Sequence, residues 1–301
     1  MGTPDFAVAS LKKLHESGCN IVAVVTAPDK PAGRGMKLQE TAVKKYAADN
    51  GLKILQPEKL KNPDFINELK ALHADIQVVV AFRMLPEAVW DMPAMGTLNL
   101  HGSLLPQYRG AAPINWAIIN GEAYTGVTTF KLKHEIDTGD ILLSEKINIE
   151  DDETAGSLHD KMKEIGALLL LKTIQQLASN EIREVSQDNF IDQQLILKHA
   201  PKIFTETCKI DWNKNTEEIF NLIRGLSPYP GAFTELNDKK LKIFSATKDQ
   251  TLPSIAIGSY ETDNKSYLKF ACKDGYLLIN DLQLEGKKRL KIRDFLAGYR
   301  F

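Results

Sequence analysis

The chain has 301 residues, of which 43% are hydrophobic and 26% are charged, and its formal net charge is −1 at pH 7. This composition is that of an ordinary soluble globular protein, long enough for one large domain or two smaller ones. No apolar run approaches the roughly 20 residues needed to cross a bilayer. The first residues lack a basic segment followed by an apolar one, so we expect neither a membrane span nor a signal peptide.

Apolar β-branched runs alternate with helical patterns through the first 150 residues, and a longer helical pattern follows them. In chain order they predict a helix around Ala7, Leu11 and Leu14, a strand at Ile21–Val25, helices at Glu40–Asn50 and Pro63–Leu72, strands at Val78–Phe82, Thr97–His101, Gly126–Leu132 and Asp140–Ile149, and a helix at Ala155–Ser179. Strands that alternate with helices of this length indicate βαβ units and a parallel twisted sheet. The sequence therefore predicts an α/β domain over residues 1–182.

The pattern changes after Asn180. Residues 183–202 are polar and irregular, which predicts a linker, and short strands dominate residues 203–301. These strands are predicted at Gly231–Glu235, Lys240–Ala246, Ser254–Ile257, Tyr267–Ala271 and Gly275–Leu282. Short strands at such spacing are typical of a small β-barrel or sandwich.

Charge and cysteine usage restrict the possible partners. The last 101 residues carry 17 Lys and Arg against 13 Asp and Glu. This excess suggests a polyanionic partner, although a solvated basic face explains it about as well. Cys19, Cys208 and Cys272 lie far apart without a C-x-x-C pair, so we expect small buried thiols in a reducing cytoplasm, with no zinc site and no disulfide framework.

The predicted strand Thr97–His101 carries the chemically most informative residues. Side chains alternate along a strand, so Asn99 and His101 project from the same face near its C-terminal end. Open α/β sheets bind ligands at that end. An amide can donate to a developing oxyanion, and an imidazole exchanges protons near neutral pH. The alternative is a structural Asn and a hydrogen-bonded His, and the spacing alone slightly favours that alternative.

A candidate third member lies in the loop Glu135–Asp140, between two predicted strands. A carboxylate from this loop could hold the imidazole in place and stabilise its cationic form. The local pattern does not choose between Asp137 and Asp140.

The stretch Asn99–Pro106, followed by Tyr108–Ile114, resembles the signature of folate-dependent formyltransferases. The resemblance covers nearly the whole chain and implies a Rossmann-like formyltransferase domain with a parallel twisted sheet, followed by an OB-like β-barrel domain. It implies a catalytic triad of Asn99, His101 and Asp137, because the family's acid follows its histidine by 36 residues. The resemblance also implies folate contacts at Phe82, Arg83, Met84, Leu85, Ser103, Leu104, Leu105 and Pro106.

Two segments resemble the branch of this family that acts on methionyl-tRNA. Gly2–Ala7 is similar to its opening turn, and Pro28–Gly35 is similar to its inserted Pro/Gly-rich loop. A flexible surface loop is the alternative for the second segment. The implied tRNA contacts are Arg34, Lys37, Lys287, Lys288 and Arg289.

The resemblance implies transfer of a formyl group from 10-formyltetrahydrofolate to the amino group of initiator methionyl-tRNA, without a metal, in a cytoplasmic monomer. One alternative is a formyltransferase that acts on an amino-sugar nucleotide or another small amine, against which the Pro28–Gly35 loop argues. A non-catalytic RNA-binding module and a hydrolase that releases formate from 10-formyltetrahydrofolate are the others.

Two positions depart from the family pattern. The β-strand that precedes the Gly2–Ala7 turn in the family is absent here, so we expect a truncated N-terminus. Loss of a central parallel strand would leave unpaired backbone groups and an open hydrophobic slot. Arg83 stands where many family members carry glycine, which we expect to alter local backbone geometry or folate contacts.

Overall fold

The computed structural model describes residues 1–32, 37–191 and 196–299. The helices in these ranges are α1 (Asp5–Glu16), α2 (Ala42–Asp49), α3 (Pro63–Lys70), α4 (Glu87–Trp90), α5 (Pro113–Ile119), α6 (Ala155–Ala178), α7 (Thr216–Gly225) and α8 (Ile292–Gly298), with short 3₁₀ turns at Gln187–Phe190 and Glu206–Cys208. None of these helices combines the length and the apolar composition that a membrane-spanning segment requires.

The strands of the described ranges are β1 (Val24–Val25), β2 (Lys30–Ala32), β3 (Lys37–Gln39), β4 (Ile54–Leu55), β5 (Gln77–Val80), β6 (Thr97–His101), β7 (Arg109–Gly110), β8 (Tyr124–Lys131), β9 (Ile141–Asn148), β10 (His199–Ala200), β11 (Ala232–Leu236), β12 (Lys239–Asp249), β13 (Tyr260–Thr262), β14 (Leu268–Ala271), β15 (Tyr276–Leu284) and β16 (Leu290–Lys291). The chain divides into two compact units. The first comprises residues 1–110, 126–147 and 159–198, and the second comprises residues 111–125, 148–158 and 199–301.

The first unit has a mixed α/β core. Strands β5, β6, β8 and β9 form one sheet in that order, while β1 and β4 form a separate parallel pair. Strand β5 runs parallel to β6, and β8 runs antiparallel to β6. The predicted α/β class is therefore confirmed, with a sheet that is only partly parallel. Helix α6 packs closely on β6, since a Cβ added at Gly166 would lie 2.9 Å from Cδ2 of Leu100.

An apolar cavity of about 180 Å³ lies between β1 and β5. Met1 and Gly2 occupy one end of it. The Met1 amino group donates to the Val78 carbonyl at 2.5 Å, and the Gly2 amide donates to the Val25 carbonyl at 3.0 Å. Burial lowers the pKa of the Met1 amino group to about 5. The first two residues therefore pair with the strands on both sides of the cavity.

Ser10 lines this cavity and supplies a stability prediction. Its hydroxyl is buried and has no hydrogen-bond partner among the described residues. Ser10→Ala should therefore leave the free energy of unfolding unchanged or raise it by up to about 1 kcal/mol, because an unsatisfied polar group is removed. Thr173→Val is the matched comparison, since the buried Thr173 hydroxyl donates to the Leu169 carbonyl at 2.8 Å.

Thr173→Val should lower the free energy of unfolding by about 1–2 kcal/mol. Denaturant titration of both variants measures the difference. Equal destabilisation by Ser10→Ala and Thr173→Val would contradict the structural interpretation of Ser10.

The second unit is built on an antiparallel sheet. Strands β11, β12, β15, β14 and β13 follow in that order, and β16 pairs with β15. A register shift in β12 between Ile243 and Ala246 marks a bulge, and the sheet curls into a half-barrel. Its core includes Phe270, stacked on Trp212 at 4.6 Å. Cys272 is also buried here, which raises the pKa of its thiol to about 12.

Some predicted elements are wrong or absent. Residues 254–257 form no strand: Pro253 lacks an amide donor, and the Ser254 amide donates to the Tyr276 hydroxyl rather than to a neighbouring strand. The predicted strand Ile21–Val25 shortens to its last two residues. Helices α4, α5, α7 and α8 were not predicted from the sequence.

Candidate active site

Strand β6 presents the first two candidate residues at the edge of the sheet. Asn99 lies in register between Val79 and Phe130, and His101 pairs with Thr128 at the end of the strand. The regular register preserves the alternation of side chains, so Asn99 and His101 share a face. Asn99 is half-buried, whereas His101 is only 6% exposed.

The His101 ring is oriented by a backbone carbonyl. Its Nε2 lies 2.9 Å from the carbonyl oxygen of Tyr108. A carbonyl only accepts hydrogen bonds, so Nε2 carries the hydrogen and Nδ1 is the atom that gains or loses a proton. Nδ1 lies 3.8 Å from Oδ2 of Asp137. This separation exceeds a hydrogen bond, and it brings a carboxylate close enough to stabilise a cationic imidazole.

The loop before β9 brings Asp137, rather than Asp140, to His101. Asp137 has a φ of 56°, in the left-handed region, and its Oδ2 accepts a hydrogen bond from the Gly110 amide at 2.9 Å. Asp140 instead forms an ion pair with Lys133 at 2.8 Å. The structure therefore brings together Asn99, His101 and Asp137 within the first unit.

The segment predicted to contact folate after β6 is mostly buried. Ser103 donates to the Gln107 carbonyl at 2.6 Å, and the Ser103 carbonyl accepts from Thr128 at 2.7 Å. Leu105 belongs to the hydrophobic core, and a cis peptide bond joins it to the buried Pro106. Leu104 is half-buried and packs on Gly126.

The second predicted folate segment follows β5. Phe82 and Arg83 border a cavity of about 480 Å³, whose lining also includes Thr3, Asp29 and Lys30. The Arg83 guanidinium donates to the carbonyl of Glu58 at 2.8 Å and to that of Pro57, and its carbon lies 5.6 Å from the Phe82 ring centroid. Of the two remaining residues, Met84 is 72% exposed and Leu85 belongs to the core.

Among the predicted tRNA contacts, Arg34 lies outside the described residues, and Lys37 opens strand β3. In the second unit Lys287 and Lys288 are exposed. Arg289 donates to both carboxylate oxygens of Asp281, at 2.9 and 2.8 Å. Burial alone would raise the pKa of Asp281, but hydrogen bonds from Arg289 and from Lys291 lower it overall.

Gln187 was not predicted as a site residue, because it falls in the segment predicted to be a linker. In the structure it is only 2% exposed, and its side chain bonds to Arg109 and to the Asp137 loop. A single glutamine in a polar segment leaves no local pattern that marks it as buried.

Two family models match successive parts of the chain. The family model described as "Formyl transferase" matches residues 1–174, and the model described as "Formyl transferase, C-terminal domain" matches residues 202–300. A protein of Parabacteroides distasonis named methionyl-tRNA formyltransferase is 54% identical over 306 aligned positions, which cover 100% of this chain and 94% of that protein.

Two solved structures share the fold at low sequence identity. An N-formyltransferase from Helicobacter canadensis, in complex with folinic acid and dTDP-3-aminofucose, is 21% identical with a TM-score of 0.65, covering 96% of this chain and 97% of the other. HypX from Aquifex aeolicus, in complex with tetrahydrofolic acid, is 19% identical with a TM-score of 0.58, covering 83% of this chain and 43% of that longer protein.

The resemblance first seen around Asn99 and His101 thus extends along the whole chain. Two family models match in order, and full-length relatives share about half of their residues with it. This chain belongs to the formyltransferase family.

Proposed function

We propose that this protein transfers the formyl group of 10-formyltetrahydrofolate to the α-amino group of initiator methionyl-tRNA, for translation initiation in the cytoplasm. The observation that carries this proposal is near-complete alignment with relatives named methionyl-tRNA formyltransferase, at 45–54% identity. The proximity of Asp137 to His101, with Asn99 on the same face of β6, supports it, because acyl transfer to an amine needs both an oxyanion donor and a proton carrier.

In the proposed mechanism the amine attacks the formyl carbon, a carbon–nitrogen bond forms, and the carbonyl oxygen becomes an oxyanion. Asn99 donates a hydrogen bond to that oxyanion through its side-chain amide, and His101 donates through protonated Nδ1, because its Nε2 is already bonded to the Tyr108 carbonyl. Asp137 balances the positive charge of His101. The bond from the formyl carbon to N10 of the folate then breaks, and the proton lost by the amine is transferred to N10. The formyl group is already activated on N10, so the mechanism uses no metal.

Several contacts belong to the same proposal. Residues 82–85 and 103–106 hold the folate, with Phe82 and Arg83 at the cavity that follows β5 and the buried members acting through backbone groups. Arg34 and Lys37 dock the acceptor end of the tRNA. Lys287, Lys288 and Arg289 bind its phosphates. We propose a monomer, because one tRNA per chain requires no symmetry.

The acceptor is tested with labelled 10-formyltetrahydrofolate and four candidate acceptors: initiator methionyl-tRNA, uncharged tRNA, a dTDP-amino-sugar and water. We expect label to accumulate on methionyl-tRNA alone. Transfer to the amino-sugar would support the alternative acceptor class, and formate release without an amine would support the hydrolase. No turnover of the folate with any acceptor would exclude both kinds of enzyme.

The role of Lys287 and Lys288 predicts a change in salt dependence. Each lysine that neutralises a phosphate contributes about 1 to the slope of log K against log salt. The double variant Lys287→Ala/Lys288→Ala should therefore weaken tRNA binding and flatten this slope by about 2, as measured by filter binding. Lys59→Ala/Lys61→Ala is the matched control, since both lysines are exposed in the first unit. An unchanged slope in the Lys287/Lys288 variant would contradict the role.

A further inference from the structure

We infer that Gln187 is a positioning residue that holds the Asp137 carboxylate 3.8 Å from His101. It does so by hydrogen-bonding to the backbone of the Asp137 loop and to Arg109, whose neighbour Gly110 donates to that carboxylate. This inference rests on the proposed function, since Asp137 matters only if His101 does the chemistry. Gln187 follows helix α6 and belongs to a 3₁₀ turn in the first unit.

The side-chain amide of Gln187 has its full hydrogen-bonding capacity engaged. Nε2 donates to the carbonyl of Asp137 at 2.8 Å and to the carbonyl of Gly139 at 2.8 Å. Oε1 accepts from Nε and Nη2 of Arg109, at 2.9 and 2.6 Å. An amide has two donor hydrogens and two acceptor positions, so these four bonds use all of them. A buried glutamine bonded in this way fixes its partners relative to one another.

The partners of both Gln187 atoms, Nε2 and Oε1, act on the Asp137 carboxylate. The donated bonds hold the Asp137 backbone, which has a left-handed φ of 56°. Residues other than glycine adopt this conformation much less often than the helical or extended ones. The accepted bonds hold Arg109, and the amide of the next residue, Gly110, donates to Oδ2 of Asp137 at 2.9 Å. Gln187 therefore fixes both the backbone of Asp137 and the donor that orients its carboxylate.

The segment that carries Gln187 is itself anchored two residues earlier. The amide of Val185 donates to the Ile141 carbonyl at 2.9 Å, and the amide of Ile141 donates to the Val185 carbonyl at 2.8 Å. Ile141 begins strand β9, directly after the Asp137 loop. The backbone next to Gln187 is therefore paired with β9, the strand that follows the Asp137 loop.

The test compares Gln187→Met, which keeps the length of the side chain and removes all four bonds, with the exposed control Gln175→Met on α6. A displacement of about 1 Å at a reacting group lowers the rate by up to about 100-fold. We expect kcat to fall by about 10- to 100-fold, with the KM values for folate and tRNA within about twofold of wild type. Gln175→Met should leave all three unchanged.

A second measurement needs no substrate. The amide proton of Gly110 reports its hydrogen bond to Asp137, so its NMR signal should move upfield in folded Gln187→Met and stay in place in Gln175→Met. A purely structural role would lower Tm without moving this signal or kcat. A kcat within about twofold of wild type, or an unmoved Gly110 signal, would overturn the inference.

Gln187→Glu covers the case in which Gln187→Met does not fold. Its carboxylate can still accept from Arg109 but cannot donate to the two carbonyls, so we expect an intermediate loss of kcat and a smaller shift of the Gly110 signal. Wild-type values in this variant would also overturn the inference. If the wild-type protein formylates another amine instead of methionyl-tRNA, the same comparison of variants applies to that acceptor. The proposed acceptor would then be wrong, while the inference about Gln187 would still be tested.

Discussion

His101→Ala should lower kcat for formyl transfer by about 10³-fold. The imidazole supplies both a donor to the oxyanion and the proton carrier, and either role alone contributes a factor of about 10² or more. The folded state should persist, since the variant loses one hydrogen bond to the Tyr108 carbonyl, which is worth about 1 kcal/mol. Single-turnover kinetics and thermal unfolding on the same preparation measure both effects.

His134→Ala is the matched control for this experiment. His134 lies in the loop that carries Asp137, but its side chain is 73% exposed and pairs with Glu87 at 3.2 Å. We expect kcat to be unchanged in this variant. Near-normal formyl transfer by His101→Ala would refute the assignment of the active site, and an equal loss in His134→Ala would show that the assay responds to unspecific changes.

Gly139→Ala should damage both stability and activity, although it adds a single methyl group. The new Cβ would lie 1.6 Å from the Lys131 carbonyl oxygen and 3.0 Å from Cδ2 of Phe130. The first of these atoms is backbone, so the loop must move rather than a flexible side chain. We expect a loss of about 3 kcal/mol in the free energy of unfolding and a fall in kcat of about 100-fold, because Asp137 shifts with the loop.

Gly298→Ala serves as the control, because a Cβ at Gly298 meets no atom within 4 Å. Its free energy of unfolding should stay within about 0.5 kcal/mol of wild type. Denaturant titration and steady-state kinetics measure both variants. Wild-type stability in Gly139→Ala would mean that the loop does not pack against Lys131 as described.

The parts of the site that depend on local periodicity were predictable from the sequence. Alternation along a strand places Asn99 and His101 on one face whatever the rest of the fold does. The choice between Asp137 and Asp140 needed the family pattern, because both acids occupy the same short loop and differ only in its backbone conformation. In the structure Asp140 turns toward Lys133, a contact that the local sequence does not determine.

Contacts between residues far apart in the chain explain why the strand Ile21–Val25 was predicted too long and why Gln187 was missed. The apolar run Ile21–Val25 has the composition of a strand, but a strand also needs a paired neighbour, and pairing with β4 extends only over Val24 and Val25. Gln187 is buried by partners 48 to 78 positions away in the chain, and a contact of that kind leaves no periodic signal near the residue itself.

The cavity between β1 and β5 also bears on the response of the protein to hydrostatic pressure. Whatever part of this cavity of about 180 Å³ is not filled by water adds to the volume of the folded chain and disappears when the chain unfolds. Pressure favours the state of smaller volume, and unfolding volumes on the order of tens of mL/mol scale with such voids. Compression should therefore act first on the region between the β1–β4 pair and β5, and the tightly packed contact between Leu100 and Gly166 should yield later.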